Sequence, residues 1–457
     1  MSDLLLSYYG DDFTGSTDVM EALTINGVKT VLFLQVPSTE QLRQFPDVRA
    51  VGVAGTSRSM TTEQMQQELP PIFRGLEALN ADFLHYKICS TFDSSPTLGS
   101  IGYAIDLAMT SFQKPPHLIP LIVGVPVLLR YVVFGNLFAS VQGMTYRLDR
   151  HPTMSVHPAT PMNEADLRLH LAKQTPRRLH LLDIHHLAHL SQHLAAQLLA
   201  FEQEDETAGI VLFDTVNSDH LRAIGQTLLV YRQDAWSFLV GSSGVEYALV
   251  EAWQKNGTLQ PSPPAPVIAP VDQLLVMSGS ASPVTQRQIQ TAKDHANAHL
   301  IAIDTAKLIH PAYADAEYQR LVGESTAILD AGHSLILHTA LGSDDPRLSA
   351  TREALEQAGL DPTQTAAVLG KQQGRILNAI LERSPLQRVC VIGGDTSGHV
   401  AHAMGITALV FVASVAPGAP LCKVTSSIAP NNGLEISFKG GQNGKEDYLL
   451  RLLGGGR

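Results

Sequence analysis

Cysteine is scarce in this 457-residue chain: Cys89, Cys390 and Cys422 are the only three, and no two form a C-x-x-C pair. Any disulfide scheme leaves one over, so a disulfide scaffold is excluded and a reducing, cytoplasmic compartment is expected. Charge is sparse as well. Charged residues make up 16% of the chain against 44% hydrophobic ones, which argues against disorder and for a globular protein with full cores. Basic residues are outnumbered, 32 Lys and Arg against 43 Asp and Glu, for a formal net charge of -11. That balance argues against a general nucleic-acid or anionic-membrane surface, though a local basic pocket for phosphate is compatible with it. No basic stretch precedes an apolar core at the N-terminus, so no signal peptide is expected. The most membrane-like run, residues 118–134, is interrupted by Pro120, Pro126 and Arg130 and reads as buried strand and turn. Two nucleotide motifs are missing too: there is no G-x-x-x-x-G-K-[ST], and no G-x-G-x-x-G follows a strand. Their absence counts against a Walker-type NTPase and a standard Rossmann dehydrogenase.

What is present is an alternation of short apolar runs and helical segments. Residues 4–9 are apolar and end at Gly10; Asp11 and Asp12 follow, then Thr14-Gly15-Ser16-Thr17 and a helical segment. This predicts a strand, a tight turn and a helix opened by hydroxyl and carboxylate caps. Strands are likewise expected over 28–36, 48–54, 82–88, 118–125, 179–184, 209–214 and 237–240. Helices are expected over 62–69, 99–109 and 245–253. Residues 130–146 read as irregular, and 147–155 as a polar loop in which Arg147, Asp149, Arg150 and His151 either face a ligand or brace the loop. After residue 184 a helix is expected to carry His185, His189 and His193 on one face, with His186 beside them. No Cys or carboxylate completes a ligand set there, so a solvated face is expected rather than a metal site.

Five prolines between residues 255 and 270 mark a stiff linker. The expected organisation is therefore a domain over 1–255, a linker over 256–270 and a second domain over 271–457. The second part resumes the alternation, with strands over 274–277, 300–304, 334–339, 388–392 and 408–413. A helix opens at Pro283, another covers 399–404, and the tail over 421–438 is β-rich. The fold class expected is α/β: two domains, each a mostly parallel sheet flanked by helices, with a cleft between them.

In open α/β sheets ligands gather outside the carboxyl ends of strands. Three such ends in the first domain carry Asp11 and Asp12, Arg58, and Lys87 with Ser90, Thr91 and Asp93. Thr14 and Gly15 open the adjoining helix, whose free N–H groups and dipole suit an anion. Cations there can hold an acid group, and a carboxylate can take the proton of an attacking hydroxyl. In the second domain two turns rich in glycine and hydroxyls stand at strand-to-helix junctions. One holds Ser278, Gly279, Ser280 and Ser282, the other Gly393, Gly394, Asp395, Thr396 and Ser397. Such turns let a backbone approach phosphates closely and aim N–H groups at them. One domain suited to a small anionic polyol and another suited to nucleotide phosphates point to phosphoryl transfer.

The stretch Gly10-Asp11-Asp12-Phe13-Thr14-Gly15-Ser16, the Ser278-Gly279-Ser280 turn and Gly393-Gly394-Asp395-Thr396-Ser397 resemble the four-carbon acid sugar kinase family, in order and over nearly the whole chain. The resemblance implies an N-terminal domain for a sugar acid, a C-terminal domain for ATP with Mg²⁺, and transfer of phosphate to a substrate hydroxyl. It makes Asp12 or Asp11 the candidate base, Arg58 and Lys87 the acid-group contacts, and Ser278, Ser280, Gly394 and their neighbours the nucleotide contacts. The family pattern Lys-x-Asp-Ser-Thr-Leu-Arg-Gly is altered here to Lys87-Ile88-Cys89-Ser90-Thr91-Phe92-Asp93-Ser94. A cation is lost and a carboxylate gained where the substrate is expected. A tetronate or 3-oxo-tetronate is the default acceptor, with a branched oxo-isoapionate as rival. Rival functions are a non-catalytic sugar-acid or nucleotide sensor and a metal-dependent hydrolase. No nucleic-acid or membrane partner is expected; homo-oligomerisation is compatible with the sequence.

Overall fold

The structure is a computed structural model that describes residues 4–455 except 142, 158, 189–190, 206, 233–235, 261–265 and 362–363, and except the side chains of residues 191 and 395. The chain divides into two units, residues 1–31 with 35–263, and residues 32–34 with 264–457. Within the expected linker, residues 261–265 lie outside the described residues. Among the described residues no helix is long and apolar enough to cross a membrane.

The strands of the first unit are β1 (Leu6–Gly10), β2 (Thr30–Phe33, which runs into the 32–34 segment), β3 (Ala50–Ala54), β4 (Phe83–Lys87), β5 (Leu118–Ile122), β6 (Arg130–Val133), β7 (Asn136–Val141), β8 (Met144–Arg147), β9 (Leu179–Leu182), β10 (Gly209–Phe213) and β11 (Ser237–Gly241). Seven of them form a parallel sheet in the order β3-β1-β4-β11-β5-β10-β9. Every residue of β1, β3, β4 and β11 is buried, as expected of strands covered by helices on both faces. The register sets Gly10 opposite Ala54 on one side and Lys87 on the other, so the loops after three strands start level.

The helix expected over 62–69 runs instead through Thr62–Glu77, past Pro70 and Pro71. A capping box of Thr61 and Gln64 starts it, and Met65, Leu69, Phe73 and Leu76 form one buried stripe. Phe73 meets the rings of Tyr9, Tyr86, Phe112 and Phe238 at 5.9–6.1 Å. That burial outweighs the two prolines.

Where residues 130–146 are expected to be irregular, β6, β7 and β8 form a separate antiparallel sheet. Phe134 and Gly135 turn the first hairpin with φ of 49° and 79°. Their N–H groups donate to the buried Asp214 carboxylate at 2.6 and 2.9 Å, which fixes the turn from a distant strand end. Phe-Gly is no hairpin signal by itself, so the sequence did not announce it.

The helix expected after β9 is broken. Asp183 accepts the N–H groups of His185 and His186 and the His186 ring, closing a local turn that competes with a helix. A short 3₁₀ turn, His186–Ala188, and a separate helix, Ser191–Glu204, replace it. His185 and His193 therefore do not share one helix face, and His189 lies outside the described residues.

The second unit contains β12 (Leu275–Ser278), β13 (His299–Ala302), β14 (Leu335–His338), β15 (Arg388–Ile392), β16 (Ile406–Ala416), β17 (Ala419–Ser426) and β18 (Glu435–Lys439). The order β13-β14-β12-β15-β18 is parallel, and β17 and β16 continue it antiparallel. Fully buried Arg388 donates to Glu435 and to the carbonyls of Ala269 (2.9 Å) and Leu452 (2.5 Å), tying the start and end of this unit to its central strand.

Candidate functional site

Four strand ends of the first unit are sewn together by backbone bonds. Gly55 N–H donates to Gly10, Asp11 N–H to Lys87, Arg58 N–H to Asp11 and Ile88 N–H to Gly241, at 2.8–3.0 Å. Asp12 then caps the helix Phe13–Ile25, its Oδ1 accepting from Gly15 N–H at 3.0 Å. The bland capping role and a chemical one are not exclusive, because Asp12 has further partners. Thr14 Oγ1 donates to Oδ2 at 2.7 Å and Arg58 Nη2 to Oδ1 at 2.8 Å. Arg58 also grips Asp11 with two nitrogens, Nη2 at 2.7 Å and Nε at 3.2 Å.

The two carboxylates differ in setting. Asp11 is 3% exposed, and burial raises its pKa despite Arg58. Asp12 is 19% exposed; burial opposes its charge, but Arg58, Lys87, the Thr14 hydroxyl and Gly15 N–H outweigh that and hold it below the usual carboxylate range. Lys87 is buried, and among the described residues no carboxylate stands within ion-pair distance of its Nζ. A Cβ added to Gly15 would lie 2.3 Å from Asp12 Oδ1 and 3.1 Å from Lys87 Nζ, so the glycine keeps open the space between carboxylate and ammonium.

Thr91 is buried, and Ser90 and Asp93 are half-buried on the turn after β4. That turn is held by Phe92, a non-glycine residue at φ 60° whose ring is buried against His170. Cys89 Sγ lies 2.9 Å from Thr91 Oγ1; burial, helped by Asp93, pushes its thiol up to about 11, so it is no nucleophile at neutral pH.

Two groups here escaped the sequence pattern. Arg130, on β6, feels the charges of Cys89 and Asp93, and its Nε and Asp93 Oδ1 are both buried with no hydrogen-bond partner among the described residues. Arg130 thus brings a cation within electrostatic reach of Asp93, while its Nη1 donates to the carbonyls of Leu128, Leu129 and Ser140 at 3.0–3.4 Å. Behind the site, fully buried His85 donates from Nε2 to the Gly241 carbonyl (3.1 Å) and meets Glu246 Oε1 at Nδ1 (2.5 Å). A His inside an apolar strand and a Glu in a distant helix give no local signal of pairing.

In the second unit both expected turns and a third one converge. Gly279 N–H donates to Ile392 at 2.7 Å and Gly393 N–H to Lys439 at 2.9 Å. Ser282 caps the helix Pro283–Ala296, its hydroxyl accepting from Val284 N–H. Ser280 Oγ accepts from Ser282 N–H, and Thr285 Oγ1 donates to the Gly441 carbonyl at 2.9 Å. Gly393 stands at φ 148°, and a Cβ there would meet Thr396 Oγ1 at 2.4 Å. Ser397 is buried, its hydroxyl donating to the Gly393 carbonyl at 2.6 Å. Around Gly394 nothing among the described residues, its chain neighbours aside, lies within 4 Å of an added Cβ. The side chain of Asp395 lies outside the described residues. Sequence reading missed Lys439-Gly440-Gly441 as the third turn. Lys439 is buried with its Nζ on the Gly440 carbonyl at 2.9 Å, and burial lowers its pKa to about 8.

A carboxylate beside a buried lysine that has no ion pair among the described residues in one unit, and glycine turns at helix starts in the other, define the class: a two-domain kinase acting on a sugar acid. Residues 6–249 match the family description "Sugar-binding N-terminal domain" and residues 275–449 "Nucleotide-binding C-terminal domain". The chain belongs to the four-carbon acid sugar kinase family. It is 45% identical over 446 residues to the 3-oxo-isoapionate kinase of Paraburkholderia graminis, covering 98% of this chain and 93% of that protein. It is 28% identical over 455 residues to the 3-oxo-tetronate kinase of Methylobacterium radiotolerans, covering 98% and 99%. A solved structure from Salmonella typhimurium shares the fold (TM-score 0.77, 24% identity, 98% of each chain), as does one from Haemophilus influenzae (0.71, 20%, 98% of each). The chain is a sugar-acid phosphotransferase that uses ATP.

Proposed function

We propose that the acceptor is a branched 3-oxo sugar acid of the 3-oxo-isoapionate type, in preference to the linear 3-oxo-tetronate that the sequence alone made the default. The observation that carries the reading is the pair at the first strand ends: Lys87, buried with no carboxylate in ion-pair range among the described residues, beside the Asp12 carboxylate. A buried ammonium of this kind suits the substrate's own carboxylate, and Arg58 adds charge on the same side. Asp12 is the base, taking the proton from the attacking hydroxyl at Oδ2, where Thr14 leaves lone-pair room. Asp11 holds Arg58 in place. Thr14, Gly15, Ser90, Thr91 and Asp93 line the acceptor. The carboxylate at position 93, with Arg130 near it, suits extra hydroxyls, and the 45% identity to a 3-oxo-isoapionate kinase favours the branched acid.

ATP phosphates are assigned to Ser278, Gly279, Ser280 and Ser282 and to Gly393, Gly394, Asp395, Thr396 and Ser397. Mg²⁺ would be carried by the phosphates and water; among the described residues no group of three or more His, Cys, Asp or Glu is placed to hold a metal alone. Transfer requires the γ-phosphate held by one unit to reach the hydroxyl held by the other, with positioning and charge neutralisation supplying most of the rate. A coupled ADP-release assay with 3-oxo-isoapionate, 3-oxo-tetronate, threonate and erythronate tests this, with the product mapped by phosphorus NMR. The branched acid is expected to give the highest kcat/KM; a tenfold preference for a linear acid overturns the substrate assignment.

A further inference from the structure

Gln373 sits in the middle of the helix Thr365–Arg383 and is 1% exposed. Neither its Oε1 nor its Nε2 has a hydrogen-bond partner among the described residues. The Oγ of Ser278, 0% exposed, is in the same state. Buried amides are rarely left so, because they forfeit water without gaining a replacement. Their location explains the exception. A Cβ placed on Gly279 would lie 3.2 Å from Gln373 Nε2 and 3.1 Å from Thr396 Oγ1. The amide and the hydroxyl therefore flank one point, the bare Cα of the first glycine turn, and Thr396 belongs to the second turn. Thr396 itself is loosely held: among the described residues its hydroxyl reaches only the Gly393 carbonyl, at 3.4 Å. Helix contacts fix where Gln373 can be, since Gly370 and Gly374, on either side of it, let the helix Gly394–Ala403 approach closely at His399 and Ala403.

We propose that Gln373 is a positioning residue of the nucleotide site, acting through Thr396. Resting on the assignment of these turns to ATP, the sequence of contacts is as follows. A phosphate oxygen drawn to the turns accepts the Thr396 hydroxyl proton, which leaves the long bond to Gly393. Thr396 Oγ1 then accepts from Gln373 Nε2, and the orphaned amide gains its partner only when nucleotide is bound. Part of the affinity for ATP thus comes from a polar group left unsatisfied in the free protein.

A double-mutant cycle tests it. Gln373→Leu, which keeps the volume, is expected to raise KM for ATP about tenfold and to shrink the thermal shift given by ADP, with KM for the sugar acid within twofold and the free protein at least as stable. Thr396→Val should raise KM for ATP similarly, and Gln373→Leu in that background should add almost nothing. Additive effects, or an unchanged KM for ATP in Gln373→Leu, overturn the relay. Should Gln373→Leu fail to fold, Gln373→Glu serves: it loses the amide donors and must weaken ATP at neutral pH, and undiminished ATP binding sinks the proposal. Gly394→Val separates the two levels. Its side chain enters open space in the free protein, so it should fold and weaken ATP wherever the turns bind phosphate. If it weakens ATP and Gln373→Leu does not, only the relay fails; if neither does, the assignment of the turns fails with it.

Discussion

Two adjacent carboxylates with opposite shifts are the clearest residue-scale feature. Arg58 closes on Asp11 with two nitrogens and reaches Asp12 with one; burial raises both, and Lys87, the Thr14 hydroxyl and Gly15 N–H join Arg58 in holding Asp12 low. Asp12→Asn keeps the cap, since an amide oxygen accepts from Gly15 N–H, but it removes the proposed base. A fall in kcat of about 10²- to 10⁴-fold is expected with KM for ATP within about twofold; equal loss of ATP affinity would count against the role. Because Asp12 lies below the ordinary carboxylate value of 3.8, it stays ionised as pH falls. No acid limb of kcat/KM should then be traceable to it above about pH 4. An acid limb near pH 6 that disappears in Asp12→Asn would contradict the shift. Beside this pair, Asp93→Asn should lower kcat/KM for the branched acid about tenfold and leave ATP saturation alone, a split that steady-state kinetics with each substrate varied will show.

At the scale of elements, the helix Thr62–Glu77 carries its own anomaly. Pro71 lies inside it, exposed, and cannot donate to the carbonyl one turn earlier. Pro71→Ala should stabilise the protein by about 2 kcal/mol, the helix penalty less the entropy that proline removes from the unfolded chain. Chemical denaturation reads this directly, and a destabilised variant would mean the helix is shaped around its proline. The same helix shows what a sequence can and cannot announce. Its start at residue 62 was legible, but its end was not, because the two prolines spoke locally while Phe73 answered to rings on β1, β4 and β11 and to Phe112. The parallel strands were legible as apolar runs ending in glycine or small residues, and so were the three strand ends that gather Asp11, Asp12, Arg58 and Lys87. The β6–β8 sheet was hidden, since its turn rests on Asp214, about eighty positions away. The broken histidine helix was hidden by one aspartate, Asp183, whose turn overrides the helical spacing. Arg130 and Gln373 carry no local signature at all: only the fold brings one to Asp93 and the other to Gly279.

Across the whole molecule, each unit buries a histidine that must stay neutral. In the first unit His170, beside the turn that carries Asp93, is pushed down to about 4 by burial and by Lys173, and its ring meets Ser94 Oγ at 3.0 Å. In the second, His338 ends β14 and is also pushed down to about 4, by burial and then by Arg347, which donates to its Nδ1 at 3.2 Å. A guanidinium only donates, so Nδ1 must accept and the ring is neutral. Both folded values lie below the unfolded value of 6.5. The unfolded chain therefore binds more protons between pH 6.5 and 4, and stability is complete above that window and lost as pH falls through it. Each histidine should account for about 3 kcal/mol when the window has been crossed. Carboxylates held low, such as Asp345 under Arg347, give up their share only below the unfolded carboxylate value of 3.8, so the two losses separate along the pH axis. Calorimetry from pH 7.5 to 4.5 should show the melting temperature dropping through the histidine window, and His170→Gln with His338→Gln should flatten that drop. A wild-type melting temperature that holds level down to pH 4.5 would mean that both rings accept a proton where they sit.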